Sequence, residues 1–138
     1  MKKYVVSSCL AGIKCRYDGT DKKNDYVCSL VESGVAEPMC AECLGGLSTP
    51  RDPAEIVGDR VITKNGKDVT KEYNLGAEKV LEYCKNNNIK EAILMDKSPS
   101  CGLRVYDGTF SGKLIEKPGI TAQRLLDNGI IVRSSKDL

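Results

Sequence analysis

The stretch VTKEYNLGAEKVLEYCKNNNIKEAILMDKSPSCG, residues 69–102, decides how the chain is read. In its first half Tyr73, Ala77, Val80, Leu81 and Cys84 recur at i, i+4, i+7, i+8 and i+11, which is one face of a helix over Val69–Asn86. In its second half Glu91–Met95 is a short apolar run with polar neighbours, the pattern of a buried strand. The run leads into Ser98-Pro99-Ser100-Cys101-Gly102, a rigid turn that puts a cysteine where a strand stops and a loop opens. Helix, strand and loop in that order are the repeating unit of a layered α/β fold.

The alternation continues in both directions. Lys3–Ser8 reads as a first strand, and Asn24–Ser33 as a short helix closed by Gly34. Val35–Met39 is a weaker strand because it contains Pro38. Arg60–Thr63 and Lys67–Val69 flank Asn65-Gly66, a strong hairpin signal. Thr121–Asp127 reads as a helix with Thr121 as N-cap and Gly129 at its end, followed by a strand at Ile130–Ser134. The expected architecture is one α/β domain over residues 1–138. It has three Rossmann-like layers, a mostly parallel sheet and a small β-hairpin. Its length of 138 residues suits one domain, and 41% hydrophobic residues suffice for one ordinary core.

Composition narrows the function. A net charge of +2, with both signs spread along the chain, offers no footprint for duplex nucleic acid. One Phe and no Trp leave no stacking surface for single strands. The apolar runs fall far short of the roughly 20 residues that a membrane span needs. The chain enters a strand at once without a signal-peptide pattern, so a cytoplasmic protein is expected.

Seven cysteines and no histidine are the unusual feature. An odd count in a reducing compartment argues against a disulfide framework. Without histidine, a metal would be held mainly by sulfur, and proton transfer would fall to carboxylate, hydroxyl or lysine. Cys84 lies on the apolar stripe and Cys28 within a short helix, so both read as core filler. Cys15 lies in the polar loop CRYDGT and reads as a spare thiol. Cys9, Cys40 and Cys101 each follow a predicted parallel strand, and ligands bind outside the carboxyl ends of such strands. Three thiols distant in sequence are therefore expected to converge on one rim. Glycines follow each of them, at Gly12, Gly45-Gly46 and Gly102, and would let backbone amides approach a bulky ligand.

Cys40-Ala41-Glu42-Cys43 is also a C-x-x-C pair, the spacing of half a zinc site or of a redox dithiol. No second pair completes a zinc site, and Leu44-Gly45-Gly46 makes a poor start for the helix that a redox pair opens. A structural zinc needs four closed ligands. Three thiolates on an iron–sulfur cubane would leave one iron open as a Lewis acid for a soft sulfur atom.

These motifs together resemble the family catalogued as domain of unknown function 523, which includes the 2-thiouracil desulfurases. The matching pieces are SSCLAGIKCRYDG (7–19), CAECLGGLSTPRDPAEI (40–56), DVT (68–70), SPSCG (98–102), YDGTFSG (106–112) and PGITAQRLLDNGI (118–130). The resemblance implies a 4Fe–4S cluster on Cys9, Cys40 and Cys101 and removal of sulfur from a thiolated pyrimidine. It also implies two helpers, Glu42 and a serine of the turn, either Ser98 or Ser100. The chain departs from the family by Ala41 where proline is usual and by the additional thiol Cys43, a potential fourth ligand.

Exchange of C=S for C=O needs an activated water and an acceptor for sulfur, which suits Glu42 as a proton-transfer group. It needs no net electrons, and no G-x-G-x-x-G dinucleotide motif follows a strand. The loops Arg51–Ile56 and Tyr106–Gly112 read either as solvated turns or as pocket walls. In the second case Asp107 shapes a tight turn, and Thr109 or Ser111 contacts the substrate. The alternatives to a desulfurase acting on a small thiolated nucleobase are a non-catalytic cluster- or zinc-binding protein, and a thiol-redox protein using Cys40 and Cys43.

Overall fold

The computed structural model describes residues 1–138. Four parallel strands form the central sheet in the order β2-β1-β5-β8, with β1 at Tyr4–Ser7, β2 at Ala36–Met39, β5 at Glu91–Leu94 and β8 at Ile131–Ser134. Between them lie α1 (Asp25–Glu32), α2 (Ala41–Leu44), the strands β3 (Ala54–Val57) and β4 (Arg60–Thr63), and α3 (Thr70–Asn86). Two short strands, β6 (Val105–Tyr106) and β7 (Leu114–Ile115), precede α4 (Ile120–Asp127). No helix is long and apolar enough to cross a membrane.

The period of two along each strand builds the layers. Val5, Ala92, Leu94 and Val132 point to one face and pack with Val80, Leu81 and Cys84 of α3 and Ala122 and Leu125 of α4. Val6 and Ile93 point to the other face and pack with Val27 of α1, Ala36, Leu10 and two thiols, Cys9 and Cys15. Both faces are covered, so the central strands read as continuous apolar runs rather than alternating ones. Pro38 is tolerated because β2 is an edge strand that pairs with β1 alone.

Cys84 is wholly buried on the apolar stripe of α3. Cys84→Ala should lower stability by about 1 kcal/mol through a small cavity. Chemical denaturation checks this, and iron content and turnover should stay unchanged in that variant.

Two local expectations are corrected and one is extended. The chain does reverse at Asn65-Gly66 as expected, with Thr63 N–H bonded to the Lys67 carbonyl, Val69 N–H to the Val61 carbonyl and Ile62 bridged antiparallel to Asp68. β4 also pairs on its other side in an unexpected hairpin, β3–β4, closed around Gly58. β3 carries Pro53 before it and a charged Glu55 within it, which hid it as a strand. Cys40 does cap a helix, the single turn α2, although glycines follow it. Gly45 and Gly76 explain why: a Cβ on either would collide with backbone across the α2–α3 contact, so the two helices meet backbone to backbone. Tertiary packing, not propensity, makes that turn helical. Finally, the N-cap of α4 is Gly119 and not Thr121.

Candidate active site

The carboxyl ends of β1, β2 and β5 open on one cavity of about 470 Å³. Cys9, Cys40, Cys101, Glu42 and Ser98 all line it. Each arrives by a different device. Cys9 sits in a short 3₁₀ turn, Ser8–Ala11, directly after β1 and ended by left-handed Gly12. Cys40 follows β2 and caps α2. Cys101 is held by the turn that follows β5. There Ser98 Oγ accepts the N–H groups of Ser100 and Cys101 at 3.1 and 3.0 Å.

That turn also explains why β5 ends as it does. The carbonyls of Pro99 and Ser100 accept the first N–H groups of α4: Ile120 N–H at 2.9 Å, and Thr121 N–H at 2.8 Å. These donors have no partner within the helix, so the turn serves as the cap of α4. Ser100 is buried, its hydroxyl bonded to that of Thr121 at 2.7 Å, and it does not line the cavity. Of the two serines only Ser98 faces it. Ser7 Oγ accepts Met95 N–H at 2.9 Å, and Ser135 Oγ accepts Asp96 N–H at 2.8 Å, which ties neighbouring strand ends into one rim.

Asp107, Thr109 and Ser111 do not line the cavity. Asp107 Oδ1 accepts from the Thr109 backbone and hydroxyl, and the Thr109 hydroxyl bonds that of Ser111 at 2.7 Å. The three satisfy one another at the surface, as a solvated turn does. Instead Tyr106 and Glu55 reach the cavity wall, and Glu55 pins the loop by accepting Gly108 and Phe110 N–H at 3.0 and 3.1 Å.

Glu42 is held from two sides. Arg51 Nη2 donates to Oε2 at 2.6 Å, and the Tyr73 hydroxyl donates to Oε1. Arg51 also donates to the carbonyls of Cys15 and Ser48 at 3.0 and 3.1 Å, joining three segments of the wall. Burial alone would lower the pKa of Arg51, but the Glu42 carboxylate raises it above its ordinary value. Burial and the same carboxylate push the Tyr73 phenol well above its usual range, so it stays a donor. Deeper on the β5 side, Asp96 makes a two-pronged pair with Arg104, whose hydrogen bonds hold its carboxyl below the ordinary carboxylate value.

Two site residues were missed in the sequence. Cys15 is buried, lines the cavity and contacts both Cys9 and Cys40. Its loop looked polar and solvated, and only its spacing from Cys9 within one motif hinted otherwise. Tyr73 was read as part of an apolar stripe. A buried tyrosine hydroxyl needs a partner, and that was the available signal. Cys43 does not line the cavity; its thiol lies 3.5 Å from Thr49 Oγ1 and 3.9 Å from Arg51 Nη1.

The thiols are held in their protonated form. Desolvation pushes Cys101 up to about 12, against a lowering contact with Ser7. Contact with Cys15, then burial, drives Cys40 far upward. For Cys15 the Cys40 contact lowers the value, while Cys9 and burial bring it to about 11. A cationic group would have to displace these protons on binding. No three thiol or carboxylate groups converge closely enough for a single metal ion. The donors that the strand ends present are thiols, the ligand chemistry that an iron–sulfur cluster takes.

A parallel α/β sheet whose strand ends present thiols and a clamped carboxylate to one cavity defines the class: a layered α/β domain with a sulfur-lined ligand site. Within it, the chain belongs to the 2-thiouracil desulfurase family, whose model matches residues 4–137. It is 44% identical over 145 residues to the uncharacterized protein YbbK of Bacillus subtilis (strain 168), covering 97% of this chain and 96% of that one. It is also similar to the solved structure of the 4Fe–4S-dependent thiouracil desulfidase TudS. That match has a TM-score of 0.95 and 42% identity over all of this chain and 93% of the other.

Proposed function

We propose that the protein is a desulfurase that converts C=S to C=O in a thiolated pyrimidine such as 2-thiouracil, with a 4Fe–4S cluster held by Cys9, Cys40 and Cys101. The observation that carries this reading is that three thiols from three strand ends line one cavity together with Glu42. When bound, the cluster supplies a Lewis-acidic iron without a protein ligand, toward which soft sulfur is drawn.

The remaining chemistry belongs to the chain. Water adds its oxygen to the C=S carbon, the carbon–sulfur bond breaks, and sulfur leaves as sulfide, with no electrons gained or lost. Glu42 takes the two protons of that water in turn, one as the water attacks and one as the carbonyl forms, and passes them to the departing sulfur directly or by way of the ring nitrogen. Ser98 Oγ already accepts two N–H groups, which leaves its own hydrogen to donate toward the substrate. Tyr106 and Pro99 supply apolar wall for a flat ring. The whole chain acts as one desulfurase-like domain, and seven free thiols suit a reducing cytoplasm.

Anaerobic purification with iron and sulfide analysis, an absorption spectrum and an assay of 2-thiouracil conversion tests the reading. A broad brown absorption, uracil and released sulfide are expected. A colourless zinc-bound chain without turnover would replace it with a zinc protein. A metal-free chain with a ready Cys40–Cys43 disulfide would replace it with a redox protein.

A further inference from the structure

The hydroxyl of Tyr73 stands out among groups that the chemistry above does not use. The ring lies on the buried stripe of α3, where phenylalanine would fill the same volume. A hydroxyl in that position costs free energy unless it is bonded, and its bond here is to Glu42 Oε1. The contact exists because Gly76, one turn further along α3, and Gly45 let α2 approach at backbone distance. Arg51 occupies the other carboxylate oxygen. With one donor on each oxygen, the carboxylate plane is set, and the remaining lone pairs are offered to the cavity in one orientation.

We propose that Tyr73 is a positioning residue for the desulfuration: its buried phenol hydrogen, opposed by Arg51, orients the Glu42 carboxylate toward the reacting water. The inference rests on the reading of Glu42 as the proton-transfer group. Tyr73 itself transfers no proton and holds no iron. A charged acceptor makes this a strong hydrogen bond, and a loosened base loses the alignment that proton transfer needs.

The test is a double-mutant cycle with Tyr73→Phe, Glu42→Gln and both together, on cluster-loaded protein under anaerobic conditions, with turnover normalised to iron. Phenylalanine keeps the ring and its packing. Tyr73→Phe should lower kcat by roughly ten- to a hundredfold while KM for 2-thiouracil and iron per chain stay at wild-type values. In the Glu42→Gln background it should have almost no further effect, because the group it orients is gone. Wild-type kcat in Tyr73→Phe overturns the proposal. So does a loss that multiplies with that of Glu42→Gln, or one that comes with lost iron, since either means that Tyr73 acts elsewhere. If Glu42→Gln alone turns over normally, the role of Glu42 fails, and this proposal fails with it.

Discussion

Cys101→Ser is expected to give a folded chain that holds no intact cluster and shows no measurable turnover. Cys101 is the cavity-lining thiol carried by the turn after β5, while Cys15 contacts both Cys9 and Cys40. Losing it would remove one of the three proposed thiol ligands, and serine is a poor substitute for thiolate toward iron. The turn should survive, because it is held by Ser98 Oγ and by backbone bonds to α4 and not by the thiol. Circular dichroism should therefore stay unchanged while iron per chain and the brown absorption fall. Cys9→Ser and Cys40→Ser should behave alike, and Cys43→Ser should keep its cluster, since that thiol turns toward Thr49 and Arg51. A cluster retained in Cys101→Ser but lost in Cys15→Ser would mean that the ligands are Cys9, Cys15 and Cys40, and the proposed set would be wrong.

Glu42→Gln should slow desulfuration by roughly 10²–10⁴-fold at normal iron content. The substitution keeps size and polarity but removes the base. The amide can still accept from Tyr73 or Arg51 through its oxygen, so α2 should stay seated on α3. The competing role for Glu42 is purely structural, as the carboxylate half of a buried ion pair with Arg51. Breaking such a pair leaves Arg51 with an uncompensated charge and lowers stability. The two roles separate cleanly in measurement. Thermal unfolding reports the ion pair, and turnover of 2-thiouracil per iron reports the base. A chain that melts earlier yet turns over at the wild-type rate would remove Glu42 from the chemistry and leave water activation to Ser98 or to the metal.

Much of the rim was legible in sequence because a parallel strand announces its own end. The apolar runs of β1 and β5 and the stripe of α3 carry their period in neighbouring residues, so Cys9 and Cys101 could be placed at strand ends without any long-range information. Cys84 was likewise placed by its stripe. Glu42 was supplied by the family resemblance, as the carboxylate two residues past Cys40.

What only tertiary structure decided are the contacts between residues far apart in the chain. Tyr73 and Glu42 meet across a glycine-to-glycine helix contact, Ser100 turns inward to Thr121, and Cys15 folds back onto Cys9 and Cys40. Local composition assigns each of these side chains a bland role, in a stripe, a turn or a polar loop. Periodicity determines which face of an element is buried, but not which side chain of another element lies against it. A hydroxyl or thiol takes its function from that partner. The layers of this protein were therefore written in its residue spacing, while the pairing of base, phenol and thiols arose only when packing brought α2, α3 and the strand ends together.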